Sequence, residues 1–168
     1  MKKIFLISLL TFSALNANNY ADAITVSVGK ILEGGEVYRV GLRKDFDSKV
    51  NRNKVGYYSG YYELTLNYWH GKRTNNYGIA FSPVFAYYFD YGDIKPYVEL
   101  GIGVSYWRKN YLDNRHIGSR YHFEDRIGVG VRYKKYDFSI RRMHYSNAGL
   151  KHPNSGMDMI VGSIAYKF

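Results

Sequence analysis

His144 and Ser146 stand two residues apart, and Asp158 follows in the same stretch. A base, a nucleophile and an acid thus occur in chain order. In a nucleophilic hydrolase a serine attacks a carbonyl and a histidine takes its proton. A carboxylate orients the imidazole and stabilises the imidazolium. If this stretch is a strand, residues i and i+2 share a face, with Cα atoms about 6–7 Å apart. A His-x-Ser pair also arises by chance, so the chemistry depends on what positions it. Between Ser146 and Asp158 lie Asn147, Gly149 and Asn154. Their amides, with the backbone around Ala148, suit the donors of an oxyanion hole. They suit ordinary turn chemistry equally well. His70, His116, His122 and His152 do not cluster with carboxylates in the sequence, so neither a metal site nor a cofactor is expected.

The elements around these residues have a period of two. Ile24, Val26 and Val28 alternate with small or polar residues, and Glu33-Gly34-Gly35-Glu36 reads as a hairpin turn. Seven further strands follow, marked by Tyr38/Val40/Leu42, Tyr62/Leu64/Leu66, Ile79/Phe81/Phe85, Val98/Leu100/Ile102, Ile127/Val129/Val131, Tyr136/Phe138/Ile140 and Ile160/Ile164/Phe168. Short turns are expected at 91–93 and 134–135, and polar loops at 70–76, 108–118 and 147–156. The connection at 47–54 is long for its place at the end with the short turns. Opposite the apolar faces stand Arg39, Arg43, Glu63, Glu99, Glu124, Arg126, Arg132 and Arg141. A soluble sandwich or lipocalin-like barrel turns its apolar face inward. An outer-membrane barrel turns it outward and pairs its charges in the lumen. The expected fold is therefore all-β: an eight-stranded antiparallel transmembrane β-barrel, narrow enough for its lumen to be a plug of ion pairs.

Composition agrees. The 168 residues include 19 Tyr and 17 Gly but only 3 Pro and no Cys. Tyrosine suits strands and membrane–water interfaces. The absence of cysteine excludes disulfide scaffolds and thiolate metal sites. A formal charge of +10 favours anionic partners, and by charge alone phosphorylated lipid, nucleic acid and acidic polysaccharide all qualify. Residues 1–23 read as a signal peptide: Lys2 and Lys3, an apolar run from Ile4 to Leu15, and a small-x-small site at Ala21-Asp22-Ala23, with cleavage after Ala17 as the alternative. Residues 24–168 then form the barrel domain. An aromatic C-terminal residue, Phe168, fits the signal read in outer-membrane assembly.

Parity places the reactive residues. Tyr136, Phe138 and Ile140 face lipid, so Arg142, His144 and Ser146 do too. Ile160 and Ile164 carry Asp158 to the same face. From Tyr136 to His144 a strand tilted by about 45° rises roughly 19 Å of an apolar band about 25 Å tall. The reactive groups then lie on the outside of the barrel in its outer half, where outer-leaflet lipid meets its headgroups. Arg142 on such a face must snorkel outward or meet a phosphate. Asp125 has the same parity and falls opposite His144 if Lys134-Lys135 is a two-residue turn, so it is a rival acid to Asp158.

The run from His144 to Lys151, with Pro153, Asn154 and Gly156, resembles the signature of the PagL family of outer-membrane lipid A 3-O-deacylases. The segments 38–42, 82–85, 94–97, 101–104 and 123–128 resemble that family as well. The resemblance implies an eight-stranded barrel and a Ser-His-acid ester hydrolase acting on lipid A. By motif position it makes His144 the base, Ser146 the nucleophile and Asp158 the acid. The family usually has Glu where this chain has the shorter Asp158. Lipid A or lipopolysaccharide and outer-membrane lipid are the expected partners in a Gram-negative outer membrane, with no nucleic acid and with a homodimer left open. Two other functions remain open: a non-enzymatic small barrel that binds surfaces through its loops, and an outer-membrane phospholipase.

Overall fold

The computed structural model describes residues 20–168, and most of the expected leader lies outside the described residues. Eight strands close into one barrel: β1 (Ala23–Ile31), β2 (Glu36–Asp45), β3 (Gly56–His70), β4 (Asn75–Phe89), β5 (Ile94–Trp107), β8 (Tyr121–Tyr133), β9 (Tyr136–Ser146) and β10 (Met157–Lys167). The order around the wall is β1-β10-β9-β8-β5-β4-β3-β2, with every neighbouring pair antiparallel. Closure leaves no free edge, which a chain needs where no water can satisfy its backbone. The loop expected at 108–118 is more structured than its polar composition implies. It folds back as a two-residue hairpin, β6 (Tyr111–Leu112) with β7 (Arg115–His116). Leu112 and Ile117 are buried by it.

The two faces follow the alternation. Val26, Leu66, Leu100, Ile127, Phe138 and Ile164 are exposed on the outer wall. An apolar belt of this extent has no place on a soluble monomer, and the lipocalin-like alternative falls with it. Inside, the charges pair. Glu63 lies 2.8 Å from Arg43, 2.5 Å from Arg126, 3.6 Å from Arg141 and 3.7 Å from Arg39. Glu124 pairs with Arg39 at 2.9 Å and with Arg126, and also accepts from Ser82 at 2.7 Å. Glu99 pairs with Arg141, and the Tyr61 hydroxyl donates to it at 2.6 Å. Each buried carboxylate meets several donors, the condition under which a buried charge is tolerated. Beyond this lattice, the end that carries the β5–β8 and β9–β10 loops is closed by an apolar layer in which Trp69 and Trp107 stack at 4.0 Å against Tyr145, Met143 and Met157. The lumen therefore holds a buried lattice of ion pairs beneath an apolar layer.

Candidate active site

β9 runs between β8 and β10, and His144 sits where all three strands are in register. Its direct partner on β10 is Asp158, and its direct partner on β8 is Asp125. Directly opposed strand residues have Cβ atoms about 4.5–5.5 Å apart, so both carboxylates start within reach. Only one arrives. His144 Nδ1 lies 3.3 Å from Asp158 Oδ1, and among the described residues no nitrogen–oxygen contact within 4.0 Å joins His144 to Asp125. Both aspartates stand directly across a strand pair from His144, so side-chain direction and not register separates them. A proton on Nδ1, the nitrogen that faces Asp158, would leave Nε2 as the ring's acceptor.

Ser146 follows on the same face, half-buried and opposite Phe123. Its hydroxyl makes no hydrogen bond among the described residues. Arg142 precedes on the same face with its side chain 65% exposed, and its Nη2 lies 3.4 Å from Asp158 Oδ1, the oxygen that also meets His144. Asp125, Ile127, Arg142, His144 and Asp158 border an open hollow of about 480 Å³ on the outer wall.

The loop after Ser146 is built around Asn147. Ala148 and Gly149 take φ of 52° and 78°, and the turn closes with the Leu150 amide donating to the Asn147 carbonyl at 3.0 Å. Two successive residues in the left-handed region explain the glycine, since few other residues adopt it freely. The Asn147 side chain is buried, and its Nδ2 donates to the carbonyls of Ile117 at 2.8 Å and Lys151 at 2.7 Å. Both amide hydrogens are thus committed, and this side chain is a strut rather than an oxyanion donor. Asn154 accepts at Oδ1 from the Asn147 amide at 3.2 Å, which leaves its Nδ2 unengaged among the described residues. Of the three expected oxyanion candidates, Asn154 and the backbone at Gly149 keep free donors.

Two features of the site were not anticipated from the residues. Gly156, at φ +60°, packs against the imidazole: a Cβ there would lie 2.9 Å from His144 Cε1. The β1–β2 turn also reaches the acid, with the Leu32 amide donating to the Asp158 carbonyl at 2.9 Å. A glycine before a strand is a visible turn signal, but its contact with His144 depends on how the loop lies.

The chain resembles characterised proteins along its length. Residues 36–167 match the profile of the family described as Lipid A 3-O-deacylase (PagL). The lipid A deacylase PagL of Pseudomonas aeruginosa is 36% identical over 99% of this chain and 98% of its own. The lipid A deacylase PagL of Bordetella bronchiseptica is 36% identical over 43% of this chain and 41% of its own. The crystal structure of the outer membrane enzyme PagL superposes with a TM-score of 0.84 at 34% identity, covering 87% of this chain and 99% of that one. An outward-facing His-Ser-acid set on a closed eight-stranded barrel, and matches that span nearly the whole chain, lead to one assignment: this protein belongs to the PagL family of lipid A 3-O-deacylases.

Proposed function

We propose that this chain is an outer-membrane serine esterase that cleaves the ester-linked 3-hydroxyacyl chain at the 3-position of lipid A. The observation that carries the reading is the His144–Asp158 contact of 3.3 Å on the outer wall, with Ser146 two residues along the same face. The Ser146 oxygen attacks the ester carbonyl and its proton passes to His144 Nε2. Asp158 stabilises the imidazolium that forms. Asn154 Nδ2 and the amides near Gly149 donate to the oxyanion. Collapse of the tetrahedral adduct breaks the bond to the sugar oxygen, which takes the proton back from Nε2. Water then attacks the acyl-serine, with His144 again as base, and the free 3-hydroxy fatty acid leaves. Side chains supply every proton transfer. Substrate binding brings the serine hydroxyl onto Nε2, as catalytic hydrogen bonds commonly tighten only in the complex. An exterior site lets the acyl chain stay in the lipid while its ester meets the serine. Arg142 takes a phosphate of the lipid A headgroup.

The end with the longer loops, after β1, β3, β5 and β9, faces outward, and the tight connections at 90–93 and 134–135 face the periplasm. Signal cleavage after Ala17 suits the barrel better than cleavage after Ala23. Asp22 accepts from Lys44 at 3.0 Å and from the Asp45 amide at 2.7 Å, and its own amide donates to the Arg43 carbonyl at 2.7 Å. Mass spectrometry of lipid A from cells expressing wild type or Ser146→Ala tests the reaction. The variant should leave lipid A fully acylated, and equal loss of the 3-O-acyl chain in both would sink the proposal.

A further inference from the structure

Arg115 lies in the short hairpin of the β5–β8 connection, and the reaction above makes no use of it. Its guanidinium donates from Nη2 to the Ser155 carbonyl at 2.7 Å and from Nε to the Gly156 carbonyl at 3.2 Å. The same Nη2 lies 3.4 Å from Glu33 Oε1 in the β1–β2 turn, and that oxygen accepts from the Asp158 amide at 3.5 Å. Next along the chain, the His116 carbonyl accepts from the Ser155 amide at 3.3 Å and the Ile117 carbonyl from Asn147 Nδ2 at 2.8 Å. A half-exposed ion pair alone contributes little. A planar fork that holds two consecutive carbonyls is different, because it fixes the direction of the backbone between them.

That backbone is the wall behind the base. A Cβ built on Gly156 would lie 2.9 Å from His144 Cε1 and 3.5 Å from Nε2. The glycine therefore faces the Cε1–Nε2 edge of the ring with no room for a side chain between them. On its other side Asp158 lies 3.3 Å from Nδ1, and the His144 side chain is 41% exposed. If the 154–156 segment drifts outward, the ring gains room to turn while its contact to Asp158 survives. A misplacement of about 1 Å between reacting groups can cost roughly a hundredfold in rate.

We infer that Arg115 is a positioning residue for His144: it acts through Gly156, whose backbone it fixes against the imidazole, and Glu33 orients the guanidinium. The inference rests on His144 being the base. Initial rates on purified lipid A in mixed micelles test it, using full-length protein whose folding is verified by circular dichroism. Arg115→Ala should lower kcat about tenfold or more and leave KM within about twofold, and Arg115→Lys, which keeps a donor, should recover part of the loss. Arg120→Ala, in the same connection, should match wild type. Gly156→Ala should also lower kcat, and the double variant should be no worse than the poorer single, because both act on one contact. Wild-type kcat in Arg115→Ala, a change confined to KM, or losses that multiply would each overturn the inference. Should Arg115→Ala fail to fold, Arg115→Lys and Glu33→Gln carry the test: both should lower kcat at constant KM, and wild-type values in both would refute it. Activity in Ser146→Ala would instead remove the underlying reading of the triad, so the two failures are distinguishable.

Discussion

Replacing Asp158 with Asn keeps the shape of the acid and removes its charge. The imidazolium formed during attack then loses a carboxylate 3.3 Å from Nδ1. Two unit charges at that distance interact by about 5 kcal/mol at an effective dielectric of about 20 and by roughly 1 kcal/mol in bulk water. The side chains are 41% and 27% exposed, so solvent screens the pair and the value falls between these limits. Taking about 2–3 kcal/mol, kcat should fall roughly 30- to 160-fold. Asparagine can also offer its amide to Nδ1 and favour the wrong tautomer, which deepens the loss. Asp125→Asn should leave kcat within about twofold, because Asp125 opposes His144 in register yet forms no ion pair with it among the described residues. Asp158→Glu should retain activity, since the longer side chain spans the same pair. The assay is release of 3-hydroxy fatty acid from lipid A, with kcat and KM measured for all three variants. Wild-type kcat in Asp158→Asn, or a larger loss in Asp125→Asn, would refute the assignment of the acid.

Three further outcomes follow from the geometry. Glu63→Gln leaves the guanidiniums of Arg39, Arg43, Arg126 and Arg141 without the carboxylate they share, so unfolding in urea should show a loss of about 3–5 kcal/mol. Arg142→Ala should raise KM for phosphorylated lipid A more than for a dephosphorylated form, and an equal change on both would remove its phosphate contact. Burial pushes the Asp113 carboxyl up, but the amides of Arg73, Lys72 and Thr74 that donate to it outweigh burial and hold it below the usual range. The clamp between the β3–β4 and β5–β8 loops is thus fully present above the ordinary carboxyl value of about 3.9 and fades as pH falls through the lower folded value. Hydrogen exchange at 72–74 should stay protected down to about pH 4, and loss of protection between about pH 7 and 5 would contradict this.

Alternation along each strand was enough to assign the faces of this wall, because side-chain direction in a strand is a local property with a period of two. It placed Arg39, Glu63, Glu124 and Arg141 in the lumen, and Arg142, His144, Ser146 and Asp158 outside, as the barrel has them. It reached the two competing acids and stopped there. Asp125 and Asp158 share parity and both stand opposite His144, so the choice depends on side-chain reach across two different strand pairs. Loops carry no such period. The 108–118 segment reads as a polar connection, yet Leu112 and Ile117 are buried and Arg115 grips the carbonyls of Ser155 and Gly156. Asn147, which by type suits an oxyanion donor, spends both side-chain hydrogens on carbonyls of Ile117 and Lys151. Except for the local Asn147–Lys151 bond, these contacts join residues about 30–40 apart in the chain, because the antiparallel order β5-β8-β9-β10 sets the β5–β8 and β9–β10 loops on one rim. The amino-acid order therefore settled which side chains face out of the wall, and the packing of the loops settled which groups surround His144.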